Sequence, residues 1–257
     1  MFGLRARRRQ RLRERAFPPE WRAFVEQNVP YYGCLTADER RELEGLVQIF
    51  LAEKSFEGAG GLGVTDEIRV TIATQACMLI LGRETDIYPG LDAIIVYPRA
   101  YVAHAIQRQP DGTVFEGRQL RLGESWSRGA LVLSWDDVLR GASDLHDGHN
   151  VVFHEFAHQL DDESGVADGA PLLPKSSMYL AWARVLGAEY RSLVESVERH
   201  RPTFLDQYGA TNPAEFFAVT TEFFFERPRE FQSLYPELYE QLRIFYRQDP
   251  AARKACV

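Results

Sequence analysis

The stretch His154-Glu155-Phe156-Ala157-His158 combines residue types and a spacing that specify chemistry. Residues four apart on a helix lie on one face, a turn apart. His154 and His158 can therefore aim both imidazoles at one point, and neutral imidazole nitrogen is a good zinc ligand. Glu155, beside the first imidazole, can reach a water held by that metal and act as its general base. The plain alternative is two solvated histidines on an exposed helix. Val151, Val152 and Phe153 just upstream argue against it, because they point to a buried helix, where such groups need a reason to be present.

Two histidines do not hold a catalytic zinc; a third protein ligand is needed, with the fourth position left to water. A third histidine close downstream is absent, since position 161 is Asp and position 164 is Ser. Glu215 and Glu222 on a later helix are candidates, seven apart and so on one face. Glu215 has a competing role. Asn212-Pro213-Ala214-Glu215 also reads as a capping box, in which Glu215 serves only the cap amide. Spacing alone does not choose between the two. His146 and His149 could also act as ligands, although a loop rich in Gly and Asp suits solvent exposure better. Asp161 either orients a ligand imidazole as a hydrogen-bond acceptor or simply ends the helix.

The elements that must position these groups follow from patterning. Thr36-Ala37-Asp38-Glu39 reads as a capping box opening a helix with Leu43, Leu46, Val47, Phe50 and Leu51 on one stripe. Phe17 to Trp21 reads as a linker. The Gly58–Gly63 loop lacks a phosphate-loop Lys-Ser/Thr and reads as a turn. Thr65 starts a second helix. Strands are expected at Leu91–Tyr97, on both sides of the turn Pro110-Asp111-Gly112, and at Ala130–Trp135. The last of these is a candidate edge for pairing with an extended peptide. Downstream come a long amphipathic helix over Ser176–His200, a helix opened by Asn212-Pro213, and a final helix over about Arg229–Arg247.

Composition sets the outer bounds. The 257 residues are 45% hydrophobic, enough for one sizeable core. Residues 1–15 carry seven Arg and one Glu, a local +6 within a total of −7, so the remainder stands at −13. A body that acidic is a poor nucleic-acid binder. The Arg run is expected to be a solvated, partly helical and flexible tail over residues 1–18, dispensable for folding, ahead of a single domain over 19–257. No apolar segment follows the Arg run as in a signal peptide, and none is long enough to span a bilayer. Cys34, Cys77 and Cys256 are odd in number and far apart, with neither a disulfide framework nor C-x-x-C spacing. Together these features suggest a cytoplasmic protein without membrane contact.

The chain also resembles a known family. The runs His149–Asp161, Tyr208–Val219, Ser125–Trp135 and Phe245–Pro250 are similar to those of the Mlc titration factor A family of zinc-dependent peptidases, over about residues 20–250. The catalytic domain of anthrax lethal factor looks like a remote relative that pairs the same H-E-x-x-H with a later Tyr and Glu. The resemblance implies an α+β, zincin-like fold, with zinc held by His154, His158 and Glu215, Glu155 as base and Tyr208 as catalytic tyrosine. It implies a metallopeptidase, aminopeptidase type included, acting on peptide or protein substrates. It also implies a regulatory partner, a glucose-responsive transcriptional repressor linked to phosphotransferase-system regulation. The other reading is a non-catalytic regulator that works by sequestering a protein partner.

Overall fold

A computed structural model describes residues 3–99 and 129–253, with the backbone of residue 2 and of segments 101–108, 114–121 and 123–126. In chain order the elements are helices α1 (Phe2–Arg13), α2 (Pro19–Asn28) and α3 (Ala37–Glu53), strand β1 (Ser55–Gly58), helix α4 (Asp66–Met78), and strands β2 (Ala93–Tyr97), β3 (Tyr101–Arg108), β4 (Val114–Arg121), β5 (Gly123–Trp126) and β6 (Ala130–Ser134). Then follow α5 (Trp135–Ser143), α6 (Val151–Asp161), α7 (Tyr179–Glu198), α8 (Pro213–Glu226), α9 (Pro228–Leu234) and α10 (Pro236–Tyr246). Helices segregated from a small sheet make this an α+β arrangement. Among the described residues, no helix is long and apolar enough to cross a membrane.

The helix starts follow their caps. Thr36 and Glu39 exchange both bonds of a capping box, the Glu39 amide donating to Thr36 Oγ1 and the Thr36 amide to Glu39 Oε2. Thr65 caps α4 through the Ile68 amide, and Ser134 caps α5 through that of Asp137. The expected final helix is broken in two at Tyr235-Pro236, because a proline inside a helix removes a backbone donor and clashes with the preceding turn. The expected linker at 17–21 instead runs into α2, which Pro19 opens at its first turn.

One sheet has the order β1-β2-β6-β5, parallel through β1, β2 and β6, with β5 antiparallel to β6. This corrects the reading of Ala130–Ser134 as an edge. Leu131, Val132 and Leu133 are consecutive buried residues, the run expected of a strand covered on both faces, and β6 lies between β2 and β5. The edges are β1 and β5. A separate antiparallel pair joins β3 and β4; the turn expected at Pro110-Asp111-Gly112 lies outside the described residues.

The Arg-rich segment also differs from expectation. Residues 2–13 form α1, which packs along α3. Arg9 donates to both carboxylate oxygens of Glu53 at 2.8 and 2.6 Å and pairs with Asp86, while Arg5 bridges the same two acids. Leu12 packs against the core. The acidic body provides the partners that hold this basic segment in place. Cys77 is a buried free thiol.

The core centres on α6 and α8. In α8, Phe216, Phe217, Phe223, Phe224 and Phe225 are all buried, so the helix is apolar nearly all round and runs through the interior. Helix α6 packs against α8, α4 and α5, and against β5 at the sheet edge. The two candidate ligand-bearing helices thus lie side by side inside the core.

Candidate metal centre

His154, Glu155 and His158 lie in the middle of α6, whose start is fixed by Asn150. The Asn150 side chain accepts the Phe153 amide at 3.0 Å, and its own amide group donates to Gln75 Oε1 and the Gly141 carbonyl. Asn150 is buried, so its donors and acceptor all require partners, and those partners lock the first turn of α6. Asn212 caps α8 by accepting the Glu215 amide at 3.0 Å, with Pro213 at the first helical position. Only half of the anticipated capping box forms there, because the Glu215 side chain turns instead to the imidazoles.

Glu215 Oε2 lies 3.0 Å from His154 Nε2 and 3.2 Å from His158 Nε2, and the two Nε2 atoms are 3.3 Å apart. Among the described residues, His154, His158 and Glu215 form one group whose ligand atoms all fall within 4.8 Å of one another. Glu222 has a different place. Its Oε2 is 2.8 Å from His154 Nδ1, on the far side of the ring, and its Oε1 accepts the Asn150 amide at 2.8 Å. With Nδ1 engaged by a carboxylate, the His154 Nε2 lone pair faces the other donors, the arrangement by which an outer carboxylate orients a ligand histidine.

The electrostatics follow from burial and partners. Burial works against charging His154, but Glu222 and Glu215 outweigh it and raise the imidazole well above its ordinary value. Burial would raise Glu215 too, but its contacts with the two imidazoles hold it well below the usual carboxylate range. Glu155 is 7% exposed, and burial pushes its carboxyl up. Carboxylates and two imidazoles held within hydrogen-bond distance suit a cation, since a divalent ion displaces the protons the imidazoles would otherwise carry. Two imidazole nitrogens with one carboxylate oxygen form a donor set that suits zinc.

The remaining candidates separate cleanly. Tyr208 lies in the short 3-10 turn Gln207–Ala210, where Asp206 accepts its amide at 2.7 Å. Its ring centroid is 5.9 Å from that of His154, and the residue is 54% exposed. The ring therefore flanks the donor cluster from the solvent side. His146 and His149 are exposed and outside the cluster; His149 Nε2 sits 3.7 Å from Asp206 Oδ2. Asp161 does not orient an imidazole: its Oδ2 accepts the Gly169 amide at 2.8 Å, and its Oδ1 has no hydrogen-bond partner. Burial pushes that carboxyl up to about 6. Asn150 was missed in the sequence, although an Asn three residues before an apolar helix position is a legible cap signal.

Residues 4–247 match the family model for the glucose-regulated metallopeptidases, M90. The chain belongs to the M90 family. The match begins inside the Arg-rich segment, in keeping with its packing as α1. An uncharacterized protein of Synechocystis sp. is 43% identical over 95% of this chain and 89% of its own length. Mlc titration factor A of Pectobacterium atrosepticum is 32% identical over 91% of this chain and 87% of its own. Mlc titration factor A of Escherichia coli is 31% identical over 88% and 85% respectively. M90 membership makes this chain a member of a metallopeptidase family, and such a family implies a metal ion.

Proposed function

We propose that this M90 chain is a zincin-like zinc peptidase in which His154, His158 and Glu215 hold the metal. The observation that carries the reading is the convergence of two Nε2 atoms and one carboxylate oxygen within 4.8 Å, next to the buried Glu155. Bound zinc supplies Lewis acidity toward a scissile carbonyl and makes water more acidic. The chain's own residues do the rest. Glu155 takes the proton of the attacking water and delivers it to the leaving amine; burial raises its carboxyl, which favours holding the proton between the two transfers. Tyr208, beside His154 and open to solvent, donates its hydroxyl to the oxygen that becomes negative as water attacks. Glu222 keeps His154 in the tautomer that presents Nε2. Strand β5, at a sheet edge and against α6, would pair with an extended peptide, aminopeptidase-type substrates included.

The test combines metal analysis of the purified protein with a screen of peptide and aminoacyl substrates. About one zinc per chain is expected, with hydrolysis abolished in Glu155→Gln and zinc retained there. A metal content unaffected by His154→Ala or His158→Ala would sink the assignment.

A second reading is favoured by the relatives' name. Proteins called Mlc titration factor A cover most of this chain, and the name implies that those proteins bind the Mlc repressor. This chain would then act by holding a repressor-like protein, with hydrolysis secondary or lost. Glu155→Gln separates the readings: a regulator that acts by binding keeps its effect in that variant, and a peptidase loses it.

A further inference from the structure

The two helices that carry the metal donors are far apart in sequence, and one small residue lies between their ends. Helix α6 finishes at Asp161, fully buried, whose Oδ2 accepts the Gly169 amide at 2.8 Å. The carbonyl of the same glycine accepts the indole N–H of Trp182, on α7, at 2.9 Å. Trp182 packs edge-on against Phe217 of α8 at 5.8 Å between ring centroids. Gly169 has φ +79°, and a Cβ on it would lie 2.4 Å from the carbonyl oxygen of Pro213. Pro213 is the first residue of α8, and Glu215 follows two residues later on the same first turn. Gly169 therefore touches the end of the histidine helix through its amide, α7 through its carbonyl and the start of the glutamate helix through its bare Cα.

We propose that Asp161, Gly169 and Trp182 form a junction that sets the first turn of α8 against α6 and so delivers Glu215 to the two imidazoles. The junction rests on the reading of Glu215 as a metal ligand. Its residues touch neither metal nor substrate; they are positioning residues that act through Glu215. A glycine is required because any side chain would be strained at this φ and would push the Pro213 carbonyl away, moving the ligand two residues downstream. A ligand displaced by about an ångström costs affinity out of proportion to its distance, since metal–oxygen bonds hold only within a few tenths of an ångström.

Cobalt(II) titration of the metal-free full-length protein, followed by visible absorption and by competition with a chelator, tests this apart from activity. Gly169→Ala is expected to weaken cobalt binding on the order of 10–100-fold, as loss of outer support for a ligand does. Trp182→Phe, which keeps a ring at the site and deletes the N–H, should give a smaller loss in the same direction and guards against an Ala variant that does not fold. The deciding measurement repeats both substitutions in a Glu215→Ala background. If the junction acts through Glu215, neither weakens the residual cobalt binding further. Losses that simply add in that background, or wild-type affinity in Trp182→Phe, overturn the junction while leaving the ligand assignment intact. Wild-type affinity in Glu215→Ala alone removes the ligand assignment, and the junction with it.

Discussion

His154 sits between two carboxylates, Glu222 on Nδ1 and Glu215 on Nε2. The ring cannot rotate without giving up one of them, so its orientation is set before any metal arrives. Glu222→Gln keeps an oxygen for the Asn150 amide but removes the charge facing Nδ1. Metal affinity should fall on the order of 10–100-fold with the fold intact, as measured by chelator competition alongside circular dichroism. Undiminished affinity would show that Glu222 only caps the Asn150 amide. Tyr208 makes a different kind of contribution. As the proposed oxyanion donor, its hydroxyl would be needed only when charge appears on the carbonyl oxygen, so it would act on the transition state rather than on binding. Tyr208→Phe is expected to lower kcat on the order of 10²–10³-fold while zinc content stays constant and KM changes little. Wild-type kcat in that variant would reduce Tyr208 to a ring packed beside His154.

At the scale of elements, α1 is the informative case. Seven arginines in fifteen residues repel one another in isolation, and the helix forms against α3 because Glu53 and Asp86 take up Arg5 and Arg9. The Arg9 guanidinium holds the Glu53 carboxyl down to about 2, against an ordinary 4.5. A depressed folded-state value means the pair's contribution is complete above the ordinary carboxylate range and is lost as pH falls from about 4.5 toward about 2. Deleting residues 1–15 should lower Tm by several degrees at neutral pH, on a scale of about 2–4 °C per kcal/mol for a chain of this size. The gap between truncated and full-length protein should narrow on acidification through that window. Identical melting curves at neutral pH would mean that α1 contributes nothing to stability. Helix α8 makes the complementary point. Its phenylalanines bury it on nearly every side, so Glu222 and Glu226 are carried into the interior by apolar packing rather than drawn there by charge. Glu226, with neither oxygen hydrogen-bonded, has its carboxyl pushed well above the usual range by burial and by Glu222 nearby.

For the whole molecule, one apolar cluster extends from Phe17 to Tyr246 and surrounds the site without needing it. The fold should therefore survive removal of metal, unlike small domains that unfold without theirs. Chelation is expected to lower Tm, since a ligand that binds only the folded state stabilises it by mass action, and to leave the far-ultraviolet circular dichroism at room temperature unchanged. Loss of that signal on chelation would show that the metal is part of the core. The same core explains how two helices whose donors are distant in sequence bring those donors within 4.8 Å of one another: close packing transmits position.

The sequence by itself determined whatever depends on local chemistry. Spacing on a helix is a property of the backbone, so His154 and His158 were bound to share a face wherever α6 lay. The caps at Thr36, Thr65 and Asn212 were legible for the same reason: a cap and its amide are three residues apart, and no distant partner is involved. Tertiary structure decided every question whose answer lies in another element. Glu215 and Glu222 share a face of α8, and only the placement of α8 beside α6 puts one against Nε2 and the other against Nδ1. β6 read as an edge although its apolar run suits a covered strand, because the strands that flank it come from elsewhere in the chain, and the sheet order put it between β2 and β5. The Arg-rich segment read as solvated because its partners, Glu53 and Asp86, are distant in sequence; folding brings them alongside, and the charges that would keep α1 apart become the contacts that hold it.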